Sequence, residues 1–300
     1  MNFRSQTRAW LIRGAVLAGM DTLAFRLQSA NRSRWGLVVA MHETPISLQS
    51  HLRQQLNFAS KYFTITSLEG LAGLWQQPAE RDVDSKPLLL FTFDDGRESN
   101  YTVAAPLLES FGGRGVFFVV PAFAECASID EALSFYRTRI NPNLNPGDET
   151  SEDWKPMNAR QIADLAVRGH AIGNHTLTHA RLIGLTREEL EREVGESARK
   201  IASWTTKPVD AFAWTFGWDA IDRNAWHVIR RYHQFCFSPC AGPIDRRFDN
   251  PSLLWRREIE ARYSTPEVRF SYSGLVDLWW RARRKRLCTV LGADTTRKNE

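Results

Sequence analysis

The sequence predicts an α/β fold, barrel-like, in which a mainly parallel sheet is wrapped by helices. Short apolar runs alternate with helix-like segments along most of the 300 residues. That rhythm belongs to strand–helix repeats and not to a sandwich. Several runs are continuously apolar and rich in Val, Leu and Phe, as in strands buried on both faces of a parallel sheet. An apolar fraction of 43% and a charged fraction of 24% exclude a disordered or fibrous chain. The length suits one large domain or two small ones.

The expected strands are 36–41, 63–67, 88–93, 116–120, 170–174, 211–216, 234–237 and 253–259. Asn158 with Gln161 and Thr186 with Glu189 have the spacing of capping boxes, so each opens a helix. The first is stopped by Gly169; the second runs over 187–204 with Leu190, Val194, Ile201 and Trp204 as its inner stripe. Residues 122–156 break the rhythm. They contain NPNLNPGDETSEDWKP, a turn-rich, polar stretch too long for an ordinary connection, which reads as a lid or binding loop.

Charge is unevenly placed. Residues 1–35 and 281–286 hold eleven basic side chains against one acid, Asp21, within an overall charge of +5, so the remaining body carries −5. An acidic body argues against nucleic acid as a partner. The basic ends could touch an anionic membrane surface, or simply be solvated. The longest early apolar stretch, 14–20, lies between Arg13 and Asp21 and falls far short of the roughly 20 residues a spanning helix needs. A short helix with Trp10, Leu11, Val16, Met20, Leu23 and Leu27 on one side is expected instead, packed on the domain. The expected location is cytoplasmic, with peripheral membrane contact as a variant. Of the four cysteines, Cys236 and Cys240 form a lone C-x3-C pair, which lacks the four ligands of a structural zinc site and reads as small buried hydrophobes.

Two motifs carry chemistry. Phe91-Thr92-Phe93-Asp94-Asp95-Gly96 ends one expected strand. Adjacent carboxylates in an extended chain point in different directions, so one can bind a cation while the other faces the water it activates. His175-Thr176-Leu177-Thr178-His179 follows another strand, and a helical turn there would put both imidazoles on one face. Two imidazoles and one carboxylate are a common catalytic zinc set with a position left open. Strand ends are where α/β barrels place catalytic groups, so the two motifs could converge at one mouth.

Taken with the lead-in MNARQIADLAVRGHAIGNH and the following LTREELEREVGESARKIASWTTKPVDAFAW, the sequence resembles the polysaccharide deacetylases of carbohydrate esterase family 4, the NodB-homology domain. The resemblance runs over about 36–260. It implies a distorted (β/α) barrel of seven or eight strands and removal of N-acetyl groups from a polysaccharide or glycan precursor. It implies a divalent metal, zinc first and cobalt, nickel or manganese after it. By the family's pattern Asp94 resembles the base, and Asp95, His175 and His179 the metal ligands. The implied organisation is a basic helical segment at 1–34, the deacetylase domain at 35–270 with its insertion, and a basic helix and tail at 271–300.

The chain departs from the family's pattern at two places. The Arg-x-Pro-Tyr motif is replaced by Ala213-Trp214-Thr215-Phe216. Phe216 could still offer its backbone N–H to an oxyanion, and Arg256 or Arg257 could replace the missing guanidinium. The late Leu-x-His motif is absent, but Met41-His42-Glu43 resembles the early Tyr-His element of a subgroup acting on exopolysaccharide poly-N-acetylglucosamine, which makes His42 the candidate acid. Trp218 and Trp255 are candidate sugar platforms among eleven tryptophans. His170 and His227 read as structural. The competing readings are an amidohydrolase for a lipid-linked or small N-acyl substrate, and an inactive carbohydrate-binding relative.

Overall fold

The computed structural model describes residues 12–30, 34–76, 86–143, 154–245 and 250–292. Its strands are β1 Trp35–Met41, β2 Thr64–Ile65, β3 Leu88–Phe93, β4 Val116–Val119, β5 Ala171–Asn174, β6 Ala211–Ala213, β7 Phe235–Ser238, β8 Ile244–Asp245, β9 Leu254–Trp255 and β10 Arg257–Glu258. They form one sheet in the order β10-β1-β3-β4-β5-β6-β7-β9, with β2 beside β3 and β8 beside β1. Every neighbouring pair along that order is parallel; β8 alone runs antiparallel.

Alternation drives the wrapping. Leu37, Val39 and Met41 of β1, Leu89, Phe91 and Phe93 of β3, and Phe117 and Val119 of β4 enter one apolar cluster. Val38, Leu90, Val116 and Phe118, the residues between, enter another. Successive side chains on a strand face opposite sides, so a run without polar residues must be covered on both. Gly173 is needed in β5 because a Cβ there would meet the Phe118 ring at 2.3 Å.

The segment expected as one strand over 253–259 is two. β9 pairs with β7 and β10 pairs with β1, leaving only Arg256 between them. The two edges of the sheet therefore meet at a single residue, and a nearly closed barrel results. Both expected capping boxes form. The helix after Thr186 carries a π-helical stretch, Glu191–Glu196, before continuing as Ser197–Thr205. Leu190, Val194 and Ile201 are buried as expected, and Trp204 is half-buried.

Two expectations need correction. Residues 121–140 of the insertion are not a polar loop: they form Pro121–Ala124, Ile129–Phe135 and the π-turn Tyr136–Ile140. Phe123, Ala132, Tyr136 and Ile140 give it a small core of its own; residues 144–153 lie outside the described ones. The N-terminal stripe is the second. Gly19 at φ +72° separates 12–17 from Met20–Ala30, so the two do not share one helical face. Asp21 pairs with Arg269 at 2.8 Å, and Phe25 packs among Trp35, Tyr62 and Phe63. Val16 is buried, but Met20, Leu23 and Leu27 then face solvent. Trp10 and Leu11 lie outside the described residues.

Candidate functional site

The two motifs meet in a cleft of about 680 Å³ lined by His42, Asp94, Asp95, His175, His179, Phe216, Trp218, Arg256 and Glu260 among others. β3 ends at Phe93, and the Asp94 N–H donates to Met41 O of β1 at 2.9 Å, continuing the ladder. The chain then turns: Asp95 and Gly96 both take positive φ, 71° and 70°. A Cβ at Gly96 would press on Val119 at 3.3 Å, so this turn needs both the glycine's conformation and its size. The two carboxylates thereby separate into different neighbourhoods.

β5 delivers the histidines, though not on a helix as the spacing suggested. Thr176 and His179 sit at φ 65° and 56° in an irregular turn. The Thr176 N–H donates to Asn174 Oδ1, Leu177 N–H to Glu193 O, and Thr178 N–H and Oγ1 to the Glu193 carboxylate. Buried Glu193 belongs to the π-helical stretch, which explains why the helix is widened there. The two imidazole centroids end 5.2 Å apart.

The donor set fits a divalent cation. His175 Nδ1 lies 2.9 Å from Ala213 O, and His179 Nδ1 lies 2.7 Å from Arg139 O. A carbonyl can only accept, so each Nδ1 carries the proton and each Nε2 offers a lone pair. Asp95 Oδ1 is 3.7 Å from His175 Nε2 and 3.6 Å from His179 Nε2, and one ligand atom from each residue falls within 4.8 Å of the others. Burial, outweighing the pull of Asp94, lowers His175 to about 4, which keeps it neutral. Burial opposes ionisation of Asp95, but the charge of Arg97, and then that of His42, hold its carboxyl far below the usual range. Arg97 grips the other oxygen, Oδ2, at 3.0 Å, leaving Oδ1 to face the histidines.

Asp94 has a different partner. Arg256 Nη1 donates to its Oδ1 at 2.6 Å, both side chains being buried. Burial would raise this carboxyl; Arg256 first, with the protonated His42, outweighs it and holds it low. Of the two arginines considered from the sequence, only Arg256 reaches Asp94. Arg257, next in the strand and so facing the other way, pairs with Asp277 at 2.9 Å. His42 follows β1, its Nε2 3.8 Å from Asp94 Oδ2. Its Nδ1 meets Glu260 Oε1 at 2.7 Å, while Glu260 Oε2 accepts from the His42 N–H at 3.2 Å. Burial alone would depress His42, but the hydrogen bond and charge of Glu260, with Asp95 and Asp94 beyond, raise it to about 9.

Phe216 takes φ +61°, an uncommon conformation for a bulky residue, and packs its ring 4.8 Å from His179. No backbone acceptor among the described residues takes its N–H. Trp218 lines the cleft beneath Arg286 and Arg283. Trp255 is buried and offers no sugar platform. His170 is held by Glu109 and Gly115, a structural role. Cys236 and Cys240 are buried free thiols, and burial pushes Cys240 up to about 11.

A sequence model of the family described as polysaccharide deacetylase matches residues 81–234, half of the chain. This chain belongs to that family. It is 26% identical over 140 residues to YxkH of Bacillus subtilis, covering 46% of this chain and 38% of that protein. It is 22% identical over 136 residues to the peptidoglycan-N-acetylglucosamine deacetylase of Bacillus cereus, covering 45% and 47%. The aligned region thus spans less than half the length of either curated relative. The solved Streptococcus pyogenes deacetylase PplD, in complex with acetate, superposes with a TM-score of 0.59 at 16% identity, covering 78% of this chain and 96% of that one. At that identity the likeness establishes the shared fold. The deacetylase barrel was the fold expected from the motifs.

Two residues of this cleft escaped the sequence reading. Glu260 follows the strand that carries Arg256, and its partner is 218 positions away. Arg97 directly follows the DDG turn, a signal that was available in the sequence and was not taken up.

Proposed function

We propose that this member of the family is a metal-dependent hydrolase that removes N-acetyl groups from a glucosamine-type polysaccharide or glycan precursor. The observation that carries it is the convergence in one cleft of a His–His–Asp set with a separate, arginine-paired carboxylate and a carboxylate-paired histidine. Asp95, His175 and His179 would hold a divalent cation, zinc by the character of these donors, which when bound would supply a Lewis acid for the amide carbonyl and a more acidic water near neutral pH. Asp94, kept ionised by Arg256, accepts the proton of the attacking water. The Phe216 N–H would donate to the oxygen on which charge develops. His42, protonated and aimed by Glu260, gives a proton to the departing sugar amine, so acetate and the free amine leave. Arg256 supports this reading over that of an inactive relative, since at the junction of β9 and β10 it brings to Asp94 a guanidinium that the 213–216 motif lacks.

Purified protein supplied with zinc or cobalt is expected to release acetate from N-acetylated glucosamine polymers, to stop on chelation and to resume on metal return. No acetate from any N-acetylated glycan by metal-loaded protein would overturn the proposal. The acid's protonation sets a second expectation. His42 acts while protonated, so activity falls as pH rises through its value. Glu260→Gln keeps the side chain's size but removes the charge that raises His42. The alkaline limb of kcat/KM is therefore expected to move to lower pH by about one unit relative to the parent under the same metal. An unmoved limb would show that Glu260 does not tune the acid.

A further inference from the structure

Away from the cleft, the first and last helices present a surface unlike the rest. On Met20–Ala30 the side chains of Met20, Leu23 and Leu27 share one stripe, three and four residues apart, opposite the packed Asp21, Phe25 and Gln28. Leu23 is 61% exposed and Leu17, just before it in the chain, 88%. On the last helix, Leu275–Leu291, Leu278 and Trp279 are 68% and 65% exposed. The two regions touch: Ile12 and Val16 bury against Phe270, Leu275 and Val276, and the Trp279 ring lies 6.3 Å from that of Phe270. The exposed apolar side chains therefore flank a single contact.

The charge around them has one sign. Arg13, Arg26, Arg281, Arg283, Lys285 and Arg286 are exposed. The two acids on these helices, Asp21 and Asp277, are buried and paired with Arg269 and Arg257. The sequence adds Arg4, Arg8 and Arg32 near by in the chain, while the body is net acidic.

We propose that this face docks the chain on an anionic phospholipid surface. Aliphatic and tryptophan side chains flanked by arginines are what an interfacial helix presents: the apolar groups enter the acyl boundary while the guanidinium groups meet lipid phosphates. A second copy of the chain would bring two arginine-rich faces together, which charge disfavours. A nucleic acid would meet the charge but leave the aliphatic stripe uncovered. Trp280, adjacent to Trp279, lines the catalytic cleft, so docking brings the cleft's mouth to the lipid interface.

The test is co-sedimentation of the full chain with vesicles of phosphatidylcholine alone and of phosphatidylcholine with phosphatidylglycerol. The parent is expected to pellet with the anionic vesicles, more weakly at high salt. The double variant Leu23→Glu, Leu27→Glu is expected to partition about tenfold or more less, because charges must then enter the apolar boundary. Its thermal unfolding and its turnover of a soluble N-acetylated oligosaccharide should match the parent's, since neither residue touches the core or the cleft. No pelleting with anionic vesicles, or pelleting undiminished in the double variant, would overturn the proposal. So would a dimer, seen by light scattering, that the same substitutions dissolve; that result would give the face to a second copy.

Discussion

Asp94→Asn is expected to lower turnover about 10²–10⁴-fold while leaving metal binding intact. The size follows from the task. The amide keeps the shape of the side chain but cannot take a proton from water, and the carboxylates of the donor set and of the acid pair are committed elsewhere. Asp95 is committed to the histidines through one oxygen and to Arg97 through the other. Glu260 is committed to His42. Metal affinity should hold because Asp94 is outside the three-residue donor set. Titration calorimetry with zinc, run beside acetate release, separates the two. Undiminished turnover would remove Asp94 from the base role; lost metal would make it a ligand instead.

The second large effect is expected on stability and on the acid limb together. Arg256→Met leaves the Asp94 carboxylate buried with its closest cation gone. Breaking such a pair by removing one partner costs about 3–5 kcal/mol. The sign with pH can be worked out. Asp94 is held below its unfolded value, so its contribution to stability is present above about pH 4 and is lost as pH falls through the folded value. The variant's deficit should therefore be largest near neutrality and shrink in acid. Activity shifts in the opposite sense along the axis. With Arg256 gone, burial raises Asp94, the base is protonated at higher pH, and the acid limb of kcat/KM moves up. Denaturant melts at several pH values, with pH–rate profiles, check both. A stable variant with an unmoved limb would mean that Arg256 does not hold the base.

What the sequence made legible was what local pattern encodes. β3 falls where its apolar run predicted, and both capping boxes form, because strands buried on two faces and helix starts leave signals within a few residues. The four residues Asp94, Asp95, His175 and His179 were readable because each pair lies within one short motif. Long-range partners were not. Arg256 and Arg257 are equivalent as letters; barrel closure decides that one reaches Asp94 and the other Asp277. The histidine turn kept its spacing but not its helix, because Glu193 and Asn174 bind it from outside the motif and Thr176 and His179 take left-handed φ within it. The N-terminal stripe was read as one packed helical face, whereas Gly19 divides it and the part on Met20–Ala30 faces solvent. Periodicity shows that a face is apolar, but not which way tertiary contacts such as Asp21–Arg269 will turn it.

The seam at Arg256 also has a meaning in time. A chain emerging from the ribosome presents Asp95, His175 and His179 well before it presents residue 256 or 260. Until β10 lays itself beside β1, the cleft has all the groups that would grip a cation, but nothing yet clamps Asp94 or aims His42. On the proposed mechanism, capture of the ion and competence for hydrolysis would thus be separate events in the life of the molecule. The last strand to be made acts as an arming step that no partially synthesised chain can bypass.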